Sequence, residues 1–265
     1  MANSPATKRS PHFLKVYNCN DSRHDTCFDN QENTHKRGTF AYQPSYFGIF
    51  GVCFLVFHVV LDTRHHGDDF TGSTDVMEAF TAAGVPTVLF LRTPGPEWVA
   101  RFAHMRCIGL AGTARGHTPA WMSEHLPAAF ASLQAFGAPL LQYKVCSTFD
   151  SSPERGSIGQ AIDLGVPHMR GRWSPMVVGA PRLRRYQAFG HLFAAMGDAV
   201  FRLDRHPTMS RHPVTPMGES DLRQHLAQQT PRRIELIDLV TLKAGQGDAA
   251  LAALVGDDVP VVMLD

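Results

Sequence analysis

The chain has 265 residues, 44% of them hydrophobic and 18% charged, which is the balance of a globular protein with a sizeable core. Its 25 basic and 24 acidic residues give a net charge of +1, so no global field directs it to nucleic acid or to a membrane surface. The five cysteines form no CxxC pair and are odd in number, which indicates reduced thiols in a cytoplasmic protein rather than a disulfide framework.

Residues 1–47 are polar and show no sustained period of 2.0 or 3.6 residues, which predicts an irregular or disordered extension. The apolar run at 48–61 has 14 residues, fewer than the roughly 20 that cross a bilayer. It also lies too far from the N-terminus for a typical signal peptide. We therefore expect a buried strand here, no membrane contact, and one α/β domain over residues 48–265.

From residue 48 onward, strand-like and helix-like segments alternate along the chain. Strands are predicted at 85–91, 107–111, 140–145, 176–180, 234–238 and 259–264. Helices are predicted at 76–83, 97–105, 119–136, 157–164, 221–229 and 248–254. This alternation predicts a mostly parallel sheet with helices on both faces, a Rossmann-like three-layer α/β fold. Such sheets bind ligands outside the carboxyl ends of their strands.

A polar turn, GDDFTGSTD at residues 67–75, follows the first apolar run and opens a helix. Gly72 permits close backbone approach, and the amides that open the helix favour an anionic or hydroxylated ligand. Because one side chain is enough to cap a helix, the remaining carboxylates point to ligand binding. The alternative is that Thr71 or Ser73 caps the helix while the aspartates complement its dipole. The candidate binding residues are Asp68, Asp69, Thr71, Gly72 and Asp75.

A second polar cluster, YKVCSTFDSS at residues 143–152, follows another predicted strand. Lys144 can pair with a substrate carboxylate, while Ser147, Thr148 and Asp150 can hydrogen-bond sugar hydroxyls. A surface loop with a further helix cap is the alternative. Cys146 is interpreted as a small buried residue rather than a nucleophile, because no basic partner can be assigned to it.

Two further features carry weaker signals. Arg115 follows a predicted strand and suits a carboxylate. The segment HPTMSRHPVTPM at 206–217 contains three prolines, so it cannot form a regular helix. It is either a substrate loop, with anion ligands at Arg205, His206, Arg211 and His212, or a surface connector.

Standard catalytic and metal motifs are missing from the sequence. It contains no HExxH, G-x-S-x-G or paired-cysteine zinc pattern, and no GxxxxGK[ST] or GxGxxG phosphate loop. His65 and His66 precede Asp68 and Asp69, but adjacent residues seldom ligate one ion together. We therefore predict no metal site.

The motifs GDDFTGSTD, YKVCSTFDSS, GHLFA and HPTMSRHPVTPM occur in the order seen in the four-carbon acid sugar kinase family. From about Gly67 onward the chain resembles the N-terminal, substrate-binding domain of that family. The resemblance implies binding of four-carbon or branched sugar acids such as 3-oxo-tetronate, threonate, erythronate or 3-oxo-isoapionate. By this resemblance, the residues that line the pocket are Asp68, Asp69, Thr71, Gly72, Asp75, Arg115, Lys144, Ser147, Thr148, Asp150, Met209, His212 and Thr215.

The same resemblance implies a kinase that uses ATP and Mg²⁺, which a separate C-terminal nucleotide-binding domain holds in the family. The chain stops at Asp265 without a segment that resembles this domain, so we expect a truncated kinase that needs a missing or separate nucleotide-binding partner. An exposed interdomain face would favour self-association into a homo-oligomer.

The beginning of the chain departs from the family pattern. Residues 62–66 replace the apolar end of the first family strand, and a frameshifted or wrongly started reading frame would explain residues 1–66. Two other function classes stay open at this point. One is a noncatalytic sugar-acid-binding or effector protein, and the other is a magnesium-dependent hydrolase built on Asp68 and Asp69.

Overall fold

The computed structural model describes residues 15–17, 63–169 and 171–265. Its first half contains a five-stranded, all-parallel sheet in the spatial order β1-β3-β4-β2-β5. The strands are β1 Lys15–Tyr17, β2 Thr63–Gly67, β3 Thr87–Phe90, β4 Cys107–Leu110 and β5 Leu140–Lys144. The helices that follow β2, β3 and β4 are α1 Phe70–Ala82, α2 Pro96–Arg101 and α3 Pro119–Ala135.

Helices cover both faces of this sheet. Successive residues of a strand point to opposite faces, so Leu89 and Phe90 of β3 enter different layers. Met77 of α1 packs with Leu89 on one face. Leu133 of α3 and Phe102, just beyond α2, pack with Phe90 on the other face. The predicted α/β class, with a parallel sheet between helical layers, is confirmed.

The second half of the chain adds two small sheets. A parallel sheet has the order β10-β11-β6, and an antiparallel meander has the order β7-β8-β9. These strands are β6 Ser174–Met176, β7 Arg185–Ala188, β8 His191–Met196, β9 Ala199–Arg202, β10 Ile234–Ile237 and β11 Val261–Leu264. The accompanying helices are α4 Ile158–Gly165, α5 Leu222–Ala227, α6 Leu239–Lys243 and α7 Gly247–Leu254. One buried cluster, which includes Leu192, Leu226 and Met263, joins both sheets to α5.

The meander and two helix positions differ from the sequence prediction. No strands were expected at 185–202, where four- to six-residue strands give too few alternations for a clear period of two. The short helix α6 was also missed. Helix α1 begins at Phe70, before the end of the polar turn, because the Asp69 side chain caps it. The strand predicted at 176–180 is formed by residues 174–176.

The early part of the chain is described only at β1, which pairs in parallel with residues 88–90 of β3. The rest of the predicted extension at 1–47 and the apolar run at 48–61 lie outside the described residues. Among the helices of the described segments, none is both long and apolar enough to cross a membrane.

Strand β2 lies between β4 and β5 and is buried along its whole length, although its sequence is TRHHG. Polar residues rarely occupy such a position unless they are paired. Arg64 meets this requirement by donating to the carbonyls of Leu133, Ala138 and Leu140 around the end of α3. A cation is favourable there because it complements the negative end of the helix dipole.

The two histidines of β2 are less well paired. Both ring nitrogens of His65 and the Nδ1 atom of His66 are buried and have no hydrogen-bond partner among the residues that the structure describes. The His65 ring lies over Gly109 of β4, where an added Cβ would collide with it. Burial, followed by the charges of His66 and Lys144, lowers the pKa of His65 to about 3. Burial also lowers the pKa of His66 to about 4.

These depressed pKa values make stability depend on pH. Below the ordinary histidine pKa of 6.5 the unfolded chain binds protons that the folded chain does not. The free energy of unfolding should therefore fall as the pH drops below 6.5. The wild type loses unfolding free energy between pH 7 and pH 5, and we expect His65→Leu to make this loss smaller by roughly 2 kcal/mol. Urea unfolding at both pH values measures the difference.

The exposed His104 supplies the control, since His104→Leu should leave the difference between the two pH values as it is in the wild type. An unchanged pH dependence in His65→Leu would contradict the assignment of a neutral, buried His65.

Candidate polyol and acid site at the carboxyl ends of the strands

Three polar segments meet where β2, β4 and β5 end. Because β2 pairs with both neighbours, residues 67–75, 113–115 and 144–152 emerge side by side. The backbone amide of Asp68 donates to the Lys144 carbonyl at 2.9 Å, and the amide of Arg115 donates to the Asp68 carbonyl at 3.1 Å. The clusters that the sequence placed at separate strand ends are thus brought together.

Arg115 joins the two aspartates of the first segment. Its Nε and Nη2 atoms donate to Oδ2 and Oδ1 of Asp68 at 3.2 and 3.0 Å, which is a bidentate pair. Its Nη1 atom lies 2.9 Å from Oδ2 of Asp69. The Asp68 side chain is 5% exposed and that of Arg115 is 24% exposed, so this contact is shielded from water. Such charge-assisted, bidentate bonds are stronger and more directional than neutral ones.

Burial and pairing shift the pKa values of Asp68 and Arg115 in opposite directions. Burial raises the pKa of Asp68, and the hydrogen bonds and charge of Arg115 counteract part of this effect. Burial alone would lower the pKa of Arg115, but hydrogen bonds and charge from Asp68 outweigh it and raise that pKa. Arg115 therefore stays charged, and the carboxylate form of Asp68 depends on it.

Asp69 has a second contact, with helix α1. Its Oδ1 atom accepts from the Gly72 amide at 2.6 Å and caps the helix. The expected alternative, a cap supplied by Thr71 or Ser73, is wrong. Thr71 is exposed, and the Ser73 hydroxyl donates to the Asp69 carbonyl at 2.6 Å.

Lys144 crosses the first turn of α1. A Cβ on Gly72 would lie 3.5 Å from Cγ of Lys144, so the lysine stem passes over this glycine. The ammonium group donates to the Val145 carbonyl at 2.7 Å and lies 3.4 Å from Oδ2 of Asp75. Asp75 is 44% exposed and Lys144 is 19% exposed, so this ion pair faces solvent on the carboxylate side.

The loop after β5 carries a further carboxylate, that of Asp150. The Thr148 hydroxyl donates to Oδ1 of Asp150 at 2.6 Å and lies 3.0 Å from Sγ of Cys146. Burial would raise the pKa of Asp150, but the Thr148 hydrogen bond and the charge of Arg115 outweigh it and lower that pKa. Burial and the charge of Asp150 raise the pKa of Cys146, so its thiol is not activated. Ser147 is half-buried in the same loop.

These groups together make an acceptor-rich surface, which we call the acidic site. It consists of Asp68, Asp69, Asp75, Asp150, Arg115 and Lys144. Carboxylates outnumber cations by two, and both cations already contact carboxylates. In the segments 63–169 and 171–265, no group of three or more His, Cys, Asp or Glu side chains is arranged to hold a metal ion. The arrangement is suited to accept hydrogen bonds from ligand hydroxyls.

In the part of the chain that the structure describes, the 206–217 segment lies outside the hydrogen-bond network of the acidic site. Thr215 is buried and its amide donates to Nδ1 of His212 at 3.1 Å, so these two predicted residues pair with each other. Met209 packs into the same core cluster as Phe149, next to Asp150. Within the described part of the chain, no hydrogen bond or ion pair joins Met209, His212 or Thr215 to Asp68 or Arg115.

A buried polar group lies behind the loop and was not predicted from the sequence. The Ser151 hydroxyl donates to the Phe149 carbonyl at 3.0 Å, accepts from Gln229 at 2.9 Å and lies 3.0 Å from Nε2 of His225. These contacts tie the loop that follows β5 to α5 and to the residues just after it. No local motif could have revealed a contact between positions 74 residues apart.

Gly156 supports the turn that carries Arg115, a role that was not predicted from the sequence. Its φ of +60° favours glycine, and an added Cβ would collide with the Arg115 carbonyl. The Gly156 amide donates to the His117 carbonyl at 2.8 Å. This close approach holds the 114–117 turn, and with it Arg115, against the loop that follows β5.

Comparison with known proteins places the chain among carbohydrate-binding relatives. Residues 65–265 match the family described as the sugar-binding N-terminal domain. The chain is 65% identical over 201 residues to a 3-oxo-isoapionate kinase of Paraburkholderia graminis. The matched region covers 76% of this chain and 43% of that protein. It is 30% identical over 200 residues to a 3-oxo-tetronate kinase of Burkholderia multivorans, covering 75% and 45% of the two chains.

A crystal structure from Salmonella typhimurium LT2 has the same fold, with a TM-score of 0.69 and 26% identity over 78% of this chain and 48% of the other. The chain therefore spans less than half the length of these relatives.

The Asp68–Arg115 pair should contribute measurably to stability. Arg115→Met leaves a buried carboxylate without its partner, so we expect the free energy of unfolding to fall by about 3 kcal/mol. Adding Asp68→Asn removes that stranded charge and should recover part of the loss. Urea unfolding of the two single variants and the double variant gives the coupling energy.

Arg205→Met is the matched control, because the Arg205 side chain is 76% exposed. Additive losses in the Arg115 and Asp68 variants, with no coupling, would contradict the structural pair.

Proposed function

Because the chain belongs to the sugar-binding N-terminal domain family, we propose that it is the sugar-acid-binding part of an ATP-dependent kinase. The acid would be a four-carbon or related branched sugar acid, such as 3-oxo-isoapionate, 3-oxo-tetronate, threonate or erythronate. The observation that carries this proposal is the meeting of Asp68, Asp69 and Asp150 beside Lys144 and Arg115 at one edge of the sheet.

The chemistry of the acidic site supports a hydroxylated ligand. Each ionised carboxylate has about four acceptor positions, and the protein uses only some of them here. Sugar hydroxyls are donors of matching size and can fill the rest. A site whose polar groups are oriented in advance also spends less binding energy on ordering itself.

The nucleotide is proposed to bind outside the acidic site. Asp68 and Asp69 direct oxygens to Arg115, and Asp75 faces Lys144, so this donor set does not fit a Mg²⁺-ATP site. A nucleotide-binding domain, covalently linked or separate, would have to bring the phosphate to the bound acid. Phosphoryl transfer depends mainly on positioning and charge stabilisation, and the part proposed for these residues is positioning.

We also propose that the protein is cytoplasmic and that it self-associates. A cytoplasmic location is supported by the cysteines of the sequence, which are five in number and form no CxxC pair. Exposed apolar side chains such as Phe189 and Val200 support self-association into a homo-oligomer.

Binding and turnover can be separated in one set of experiments. We expect the purified chain to bind D-threonate in isothermal titration calorimetry and to transfer no phosphate from ATP to it. Asp69→Asn should weaken binding at least tenfold, because the change removes acceptor strength and the contact with Arg115. The exposed Asp198→Asn is the matched control and should bind as the wild type does.

Rapid phosphorylation by this chain alone would contradict the division of labour between two domains. Binding of D-threonate without any phosphorylation, even when a nucleotide-binding domain from a relative is added, would favour the noncatalytic alternative. Absence of binding to D-threonate, 3-oxo-tetronate and 3-oxo-isoapionate would overturn the proposed function itself.

A further inference from the structure

The two cations of the acidic site differ in the carboxylates that they already contact. Arg115 engages all three guanidinium nitrogens with Asp68 and Asp69. Two of its five N–H donors remain, but a ligand carboxylate bound to them would lie beside the two carboxylates that the arginine already contacts. Because the Asp68 side chain is 5% exposed, water would screen the repulsion between these carboxylates poorly.

Lys144 can exchange its partner at lower cost. Its ammonium group has three donors, of which one goes to the Val145 carbonyl and one faces Asp75 at 3.4 Å. Asp75 is 44% exposed, and water can solvate it when the lysine turns away. Ion pairs that face solvent contribute little to stability, so a ligand carboxylate can replace Asp75 or bind beside it.

The position of Lys144 also favours an incoming anion. Its stem crosses α1 at Gly72, in the first turn of a 13-residue helix. The helix dipole places partial positive charge at this end. A carboxylate held by the ammonium group would therefore lie near the positive end of the helix dipole.

On the basis of the proposed function, we infer that Lys144 binds the carboxylate of the sugar acid, whereas Arg115 is a positioning residue that holds Asp68 and Asp69 as acceptors for ligand hydroxyls. This assignment divides the site by ligand chemistry. The lysine selects acids over neutral polyols, and the two aspartates recognise hydroxyl groups that acids and polyols share. Arg115 supports both classes of ligand equally.

The inference predicts a split between a charged and an uncharged ligand. The probes are D-threonate and threitol, a four-carbon polyol without the carboxylate, with dissociation constants from isothermal titration calorimetry. Lys144→Met should weaken the binding of D-threonate at least tenfold and the binding of threitol less than threefold. Lys144→Arg keeps the charge and should keep the preference for the acid.

Arg115→Lys tests the other half of the inference. The lysine keeps the positive charge but cannot make the bidentate pair with Asp68. It should therefore weaken the binding of D-threonate and the binding of threitol by the same factor. Circular dichroism melting curves check that each variant is folded, and Lys144→Gln replaces Lys144→Met if the latter is not.

The outcomes separate this inference from the proposed function. If the wild type binds neither these probes nor the 3-oxo acids, the proposed function fails, and the assignment fails with it. If the wild type prefers D-threonate, and Arg115→Lys removes that preference while Lys144→Met keeps it, the proposed function stands and the assignment of the two cations is overturned. An equal loss for both ligands in Lys144→Met also overturns it.

Discussion

The bidentate contact between Arg115 and Asp68 is the constraint on which the rest of the site depends. It ties the end of the central strand β2 to the turn after β4, and the Asp68 amide ties the same point to Lys144 at the end of β5. The ends of β2 and β4 are therefore held together by charge-assisted bonds that are shielded from water, and the end of β5 is held by a backbone hydrogen bond. A buried carboxylate tolerates this position only because the arginine is present.

The contact also organises the groups around it. Arg115 draws Asp69 into the pair while Asp69 caps α1, so the first turn of the helix is fixed relative to the sheet. The charge of Arg115 also helps to keep Asp150 ionised. Carboxylates that would repel one another in isolation can thus share one edge of the sheet, which is the arrangement that a molecule with several hydroxyl groups requires.

Much of this arrangement follows from the sequence, and the reasons for the exceptions are local. Alternating apolar segments predict the parallel sheet, and the rule that ligands bind at carboxyl ends of strands brings 67–75 and 144–152 together. The burial of TRHHG as β2 could not be predicted, because its burial comes from its neighbours on both sides rather than from its own composition. The pairing of Arg115 with Asp68 spans 47 positions, and no local pattern selects an aspartate over a ligand as its partner. The 206–217 segment resembles a family motif, yet two of its predicted site residues, Thr215 and His212, hydrogen-bond to each other.

The ends of β2, β4 and β5 are where we propose that a sugar acid binds. The most direct test is ¹H–¹⁵N NMR of the labelled chain during titration with D-threonate. We expect the amide shifts to concentrate in residues 67–75, 113–115 and 144–152, with the shift of Gly72 among the largest. Saturable shifts confined to another region, such as the cavity lined by Arg172, Trp173 and Leu251, would contradict it.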